Sequence, residues 1–283
     1  MTTTLRPAEP LQQNPDGTRS RHYQVCVNSR PVGRIHLGTH PVFGDAVARI
    51  MSLRIEEPDR RRGRGTVAAL AAEEIARGWG CRRIEARVPA EGEGTGAAGA
   101  AGPAFRLATA LGYVVRNYTM EKALGDVPPA LPEGSSGRPM TDAEYGPWSA
   151  ASEAEYARSW TERGVPESEA RAKAAEDHAA LLPDGRDSEG MILSVLEQEG
   201  APVGTLWLSV RGEQAFVFDV EAGTAHRGRG HGRSLMLLAE AQAIAAGKRV
   251  IGLNVFAGNT PAERLYASLG YGTTQCTMYK HLL

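Results

Sequence analysis

Apolar and polar positions alternate, then switch to helical spacing, twice along this chain. Residues His22 to Leu37 form two alternating runs around Asn28-Ser-Arg-Pro31, which supplies turn chemistry, so the pattern predicts a β-hairpin. A strand is predicted from Ala46 to Ile55, then the turn Arg60-Arg-Arg-Gly-Arg-Gly65 and a helix from Thr66 to Arg77. Further on, Met191–Glu197 and Pro202–Arg211 read as strands joined by Gln198-Glu-Gly-Ala201. The Val- and Phe-rich run from Phe216 reads as a buried strand. It turns through Arg227–Gly232 into an amphipathic helix with Leu235, Leu238 and Ala239 on one side. Arg249–Val255 is another strand. Two helices are expected ahead of these strands, one from the capping-box start Thr141-Asp-Ala-Glu144 to about Thr161 and one from near Pro166 to Leu182. Residues 1–20, polar and carrying Pro7, Pro10 and Pro15, are expected to form a loose arm.

The two stretches are in register. Arg60 to Ile84 and Arg227 to Ile251 each span 24 positions. Pro31-Val-Gly33 matches Pro202-Val-Gly204, and Leu111-Gly-Tyr113 with Thr119-Met-Glu-Lys122 matches Leu269-Gly-Tyr271 with Thr277-Met-Tyr-Lys280. Self-similarity at this length implies two copies of one fold. The expected class is α/β, with an α+β mixed sheet in each of two tandem domains. The boundaries are 1–123, a Pro/Gly/Ser-dense linker at 124–137, and 138–283. The copies differ: alignment places Ala108 opposite Tyr266, Ala101 opposite Asn259 and Arg87 opposite Asn254. The first copy also carries a low-complexity insertion, Glu91–Gly102, expected to be too flexible to place a catalytic group.

Composition narrows the class further. A chain of 283 residues accommodates two domains, and a formal net charge of −1 gives no basic surplus for nucleic acid. Three scattered cysteines, Cys26, Cys81 and Cys276, have no metal-ligand spacing, so no metal site is expected, and their odd number suggests a reducing cytoplasm. No apolar run approaches membrane-spanning length, so no membrane partner is expected. Two copies in one chain leave both monomer and homodimer open.

The glycine turn carries the chemistry. A strand that feeds a glycine-rich turn opening a helix is an anion site, because turn amides and the helix N-terminus present N–H donors together. No Gly-Lys-Ser/Thr follows, which excludes a nucleoside-triphosphate loop, and the first glycine of the dinucleotide fingerprint is absent. The order Arg227-Gly-Arg-Gly-His-Gly-Arg233 instead resembles motif A of the GNAT superfamily of acyl-coenzyme A N-acyltransferases. Downstream, Asn259-Thr-Pro-Ala262-Glu-Arg-Leu265-Tyr266-Ala-Ser-Leu-Gly270-Tyr271 resembles that family's second signature. The resemblance covers roughly residues 138–283.

It implies acetyl-CoA as co-substrate and an amine as acceptor. Pyrophosphate contacts are expected from Arg227, Gly228, Arg229, Gly230, His231, Gly232 and Arg233, and pantetheine contacts from Val220, Glu221 and Ala222. Asn254, Asn259, Ala262 and Tyr266 complete the coenzyme-binding set. The resemblance makes Tyr266 the general acid for the leaving thiolate. The base is left open: Asn254 stands where relatives carry an acid and takes no proton, so Asp219 and Glu221 remain. Tyr145, Trp148, Tyr156 and Trp160 either line the acceptor cleft or, for at least two of them, pack in the core. A non-catalytic acyl-CoA sensor or scaffold is the alternative to direct acetyl transfer to a small-molecule primary amine.

Overall fold

Asn28 and Ser29 both adopt positive φ, 48° and 71°, which gives the tight turn the twist a two-residue hairpin needs. That turn joins β3 (Arg19–Val27) to β4 (Arg30–His40). The computed structural model describes residues 3–282 apart from 16, 42, 92–93 and 163–164. The expectation of a loose arm at residues 1–20 is corrected. β1 (Thr3–Pro7) pairs antiparallel with β3, and β2 (Gln12–Gln13) pairs with its start. Leu5 explains the ordering: this one apolar residue packs against a core of Val25, Val27, Val32 and Ala68.

β4 continues into β5 (Gly44–Ile55), then α1 (Arg64–Gly78), β6 (Arg83–Pro89), α2 (Gly96–Gly99), α3 (Pro103–Ala110) and β7 (Val114–Ala123). β5 and β6 run parallel, but their pairing stops at Ile50↔Ala86 although both strands continue. They therefore open into a wedge. The insertion at 91–102 is not wholly irregular, since α2 forms there and Ala100 is fully buried; residues 92–93 lie outside the described residues.

The second copy follows the predicted order. It comprises β8 (Ser135–Pro139), α4 (Asp142–Thr161), α5 (Glu167–Leu181), β9 (Met191–Gln198), β10 (Ala201–Ser209), β11 (Ala215–Ala222), α6 (His231–Ala245), β12 (Val250–Phe256), α7 (Thr260–Ser268) and β13 (Gly272–His281). The end of the Pro/Gly/Ser segment is β8, an edge strand on β9. β11 and β12 are parallel only from Ala215↔Ile251 to Val217↔Leu253, which leaves a second wedge. A core of Met140, Leu182, Met191, Leu193, Val195 and Trp207 fills the space beneath α4 and α5, with Tyr145 and Trp148 packed against it. Among the described residues no helix is long and apolar enough to cross a membrane.

The chain divides into two compact units. The first holds Met1–Thr119, Val255–Glu263 and Gly272–Leu283, and the second Met120–Asn254 and Arg264–Tyr271. The last strand of the second copy thus belongs to the first unit: β13 pairs antiparallel with β6, from Gln275↔Pro89 to His281↔Arg83. The expected boundary at 138–283 assigns β13 to the second copy and so to that copy's own sheet. It is not found there, because the two copies end in nearly the same residues and their terminal strands are interchangeable. The helices record the exchange: Lys280 pairs with the buried Glu73 of α1 at 2.7 Å, and Lys122 of β7 pairs with the buried Glu240 of α6 at 2.8 Å.

Candidate acyl-transfer site in the second copy

Two glycines set the local geometry around β11. A Cβ on Gly204 would meet the Glu221 carbonyl oxygen at 2.6 Å, so only glycine lets β10 approach β11 there. Gly230 is the N-cap of α6 in the left-handed region at φ 87°, and Gly63 holds the same conformation at the head of α1, with φ 71°. With no side chain capping α6, the amides of Gly228, Arg229, Gly230, His231 and Gly232 have no hydrogen-bond acceptor among the described residues. Five unpartnered donors beside a helix N-terminus are suited to a phosphate. A cavity of about 600 Å³ adjoins the turn, lined in part by His226, Arg229, Gly230, His231 and Arg233.

The wedge begins at a β-bulge. Trp207 pairs with Asp219 and Leu208 with Val217, so Phe218 is the extra residue. The bulge turns Asp219 onto the Trp207 face, which α4 and α5 cover. Asp219 is partly open to solvent, yet its carboxyl is pushed up to about 6, chiefly by loss of hydration and then by the like charge of Glu221. The Val220 amide opposes this by donating to the carboxylate. Glu221 lies two residues on, on the same face, but is 56% exposed and ion-paired to Arg227 at 3.1 Å. The two carboxylates left open by the sequence are therefore unequal.

Tyr266 of α7 is 7% exposed. Burial pushes its phenol up to about 12, with the charge of Asp219 adding to the effect. Buried phenol and raised carboxyl thus share one electrostatic environment. At neutral pH the phenol holds its proton and the carboxylate has released most of its own, the division of labour an acid and a base require.

The remaining expected residues fall less uniformly. Asn259 is exposed, and its Oδ1 accepts the Ala262 amide at 3.4 Å, so it serves as a cap at the start of α7. Asn254 is exposed, on β12 where the wedge has opened. Arg233 reaches Ser268 Oγ at 3.0 Å, and Arg229 is exposed at the turn. Val220, Glu221 and Ala222 lie on the part of β11 that has left β12. Of the four aromatic residues on α4, Tyr145 and Trp148 pack against the core and Trp160 is buried. Tyr145, Trp148 and Tyr156 are all partly exposed, and the Tyr156 hydroxyl donates to Asp177 at 3.1 Å.

Phe218 joins the site without having been expected there. It is 40% exposed, packs on Trp207 with ring centroids 5.0 Å apart, and immediately precedes Asp219. Its only signal in sequence is a large apolar residue in a strand whose bulge cannot be read in advance.

The chain matches the Acetyltransferase (GNAT) family over residues 3–95 and 151–271, which is most of its length and falls in both copies. The chain belongs to the GNAT acetyltransferase family. This GNAT chain is 28% identical over 154 residues to the uncharacterized N-acetyltransferase YdgE of Bacillus subtilis, covering 50% of the chain and 95% of the relative. It is 32% identical over 107 residues to the uncharacterized N-acetyltransferase YycN of the same organism, covering 36% and 69%. In fold it is similar to a GCN5-related N-acetyltransferase from Sphaerobacter thermophilus, with a TM-score of 0.60, 20% identity, and coverage of 92% and 80% of the two chains. A tandem GNAT protein from the clavulanic acid biosynthesis pathway aligns with a TM-score of 0.52 at 23% identity, covering 95% and 85%. The two-copy GNAT architecture is therefore shared.

Proposed function

We propose that residues 138–283 form an N-acetyltransferase that moves the acetyl group of acetyl-CoA directly to a primary amine of a small molecule. Residues 1–123 do not turn over, since their aligned positions hold Ser52, Arg87 and Ala108 in place of Asp219, Asn254 and Tyr266. The observation that carries this reading is the row of five turn amides without acceptors at the head of α6. Acetyl-CoA fits it, with the pyrophosphate on those amides and pantetheine along Val220–Ala222 where β11 lacks a strand partner. The coenzyme brings a thioester carbon open to nucleophilic attack. Asp219 takes the proton that the acceptor ammonium must lose, and the new N–C bond forms as the C–S bond breaks. Tyr266 gives its phenolic proton to the departing sulfur and is reprotonated, through solvent, by the second proton the nitrogen sheds as the amide forms, while Asp219 releases its proton to solvent.

Charge favours a cationic acceptor. Residues 124–283 hold 21 Asp and Glu against 14 Lys and Arg, and Asp219, Glu221 and Glu155 lie close enough to influence one another. Such a site draws in an ammonium ion before deprotonating it. Phe218 gives the acceptor an apolar surface beside the base.

Titration calorimetry of acetyl-CoA into the wild type, Gly230→Glu and Gly63→Glu tests the assignment. One site lost only in Gly230→Glu is expected, since a side chain at φ 87° both strains the turn and places a carboxylate against the phosphates. No binding at all would remove the acetyltransferase reading. Binding without turnover of any amine, equal in wild type and Asp219→Asn, would mark the protein as a sensor.

A further inference from the structure

The first copy has kept the wedge and changed what lines it. Its bulge sits at Met51, between His36↔Ser52 and Leu37↔Ile50, the position aligned with Phe218. Beyond it β5 leaves β6, as β11 leaves β12. Where the second copy has Asp219 and Asn254, this one has Ser52 and Arg87.

Arginines dominate the face. The β5–β6 register sets Arg49 beside Glu85, and Arg87 projects from the same face two residues on. Glu85 is buried and already engaged: Arg116 Nη1 donates to it at 2.8 Å, and Arg83 lies 3.4 Å away. Arg49 and Arg87 have no carboxylate within ion-pair distance among the described residues. Arg49 is half-buried, and its guanidinium is pushed down by lost hydration and then by the like charge of Arg87; Glu85 opposes this and Arg116 adds to it. A partly desolvated group of like charges is costly unless an anion joins it. The surrounding sequence has the same sign, with 18 Lys and Arg against 12 Asp and Glu over residues 1–123.

The neighbouring glycine turn differs in this respect. At the head of α1 the buried Asp59 is bound by Arg64 and by Arg30, the latter at 2.8 Å, so that turn already contains its own carboxylate. The wedge has none to spare.

We propose that the wedge between β5 and β6 is a binding site for a small oxyanion, the phosphate or carboxylate group of a metabolite, held by the paired guanidinium forks of Arg49 and Arg87. Both groups present the coplanar oxygens that such forks match. The site is independent of the acetyl-transfer reading and would stand without it.

Inorganic phosphate and succinate, titrated separately into the full-length wild type, Arg87→Gln, Arg49→Gln and Gly230→Glu, test this. Saturable binding of at least one probe is expected, with a component that persists in Gly230→Glu and is at least tenfold weaker in each arginine variant. The probe that binds more tightly identifies the group. Arg87 is exposed, so Arg87→Gln keeps the fold. Its melting temperature should lose the rise that phosphate gives the wild type over chloride at equal ionic strength. The proposal is overturned if neither probe gives saturable heat up to about 10 mM, beyond the weak end of specific binding. It is equally overturned if the arginine variants bind as the wild type does, or if Gly230→Glu abolishes binding and places the anion on the second copy's turn.

Discussion

Asp219 keeps its proton up to about pH 6 because β10, α4 and the bulge take water away from it while Glu221 adds like charge. In the proposed role of base it works only when ionised, so kcat/KM should rise with pH through about 6 and then level. Asp219→Asn should flatten that limb and lower kcat by about 10²–10⁴. The raised carboxyl also has a sign for stability. The folded state binds this proton more tightly than the unfolded chain, whose carboxyl titrates near 3.8, so ionisation weakens the fold as pH rises from about 4 through 6. A tenfold change in proton affinity corresponds to about 1.4 kcal/mol, and partial solvent access reduces the effect. Asp219→Asn should therefore be about 1–2 kcal/mol more stable than wild type at pH 8. The advantage should be about half as large at pH 5, and urea unfolding at the two pH values reads it. A variant less stable than wild type at pH 8 would contradict the burial account. Tyr266 is legible in the sequence because a signature surrounds it. The choice of Asp219 over Glu221 is not, since the two differ in burial and in the Arg227 ion pair, both products of tertiary structure.

Among elements, the glycine turns, the hairpin and the paired helices α4 and α5 are legible because local rules set them. Asn28 and Ser29 make a turn whatever follows, and Thr141 with Glu144 starts a helix. The ordering of β1 rests on one leucine packing at long range, and the bulges at Met51 and Phe218 appear only when β-strands pair. The exchanged β13 is the clearest case, because the repeat makes β7 and β13 look alike. Its signature is the pair of buried glutamates, each met by a lysine from the terminal strand of the other copy. Lys280→Met leaves the buried Glu73 with only Arg77, 4.0 Å away, as a cation, and should cost about 1–3 kcal/mol of stability. Lys122→Met should do the same through Glu240. In each case adding the matching Glu→Gln change should restore most of the loss, and a thermal-melt double-mutant cycle measures the coupling. A cost below about 1 kcal/mol for both lysine variants would mean that the glutamates find other partners.

At the scale of the molecule, a net charge of −1 conceals a basic first copy and an acidic second one, and similar folds conceal wedges that differ in charge, with Asp219 and Glu221 in one and Arg49 and Arg87 in the other. The duplication is legible from spacing alone. What spacing cannot tell is that each copy ends in one strand while the slot beside β6 is filled by β13. This has a consequence for the first copy in isolation. A fragment of residues 1–123 contains β6 and β7 but no β13, so β6 is left with an exposed edge and Glu73 with no lysine. Its β7 ends in Thr119-Met-Glu-Lys122, close to the Thr277-Met-Tyr-Lys280 that fills the slot in the full chain. Two fragments can therefore satisfy each other by exchanging β7, with Lys122 standing in for Lys280 against Glu73. The fragment should elute as a dimer whose melting temperature rises with concentration, and Lys122→Met should weaken the dimer. A synthetic peptide of residues 272–283 should compete for the slot and shift the dimer toward a fragment–peptide complex. A fragment that melts cooperatively as a monomer, indifferent to the peptide, would show that the first copy completes its own sheet and that the exchange contributes nothing to its folding.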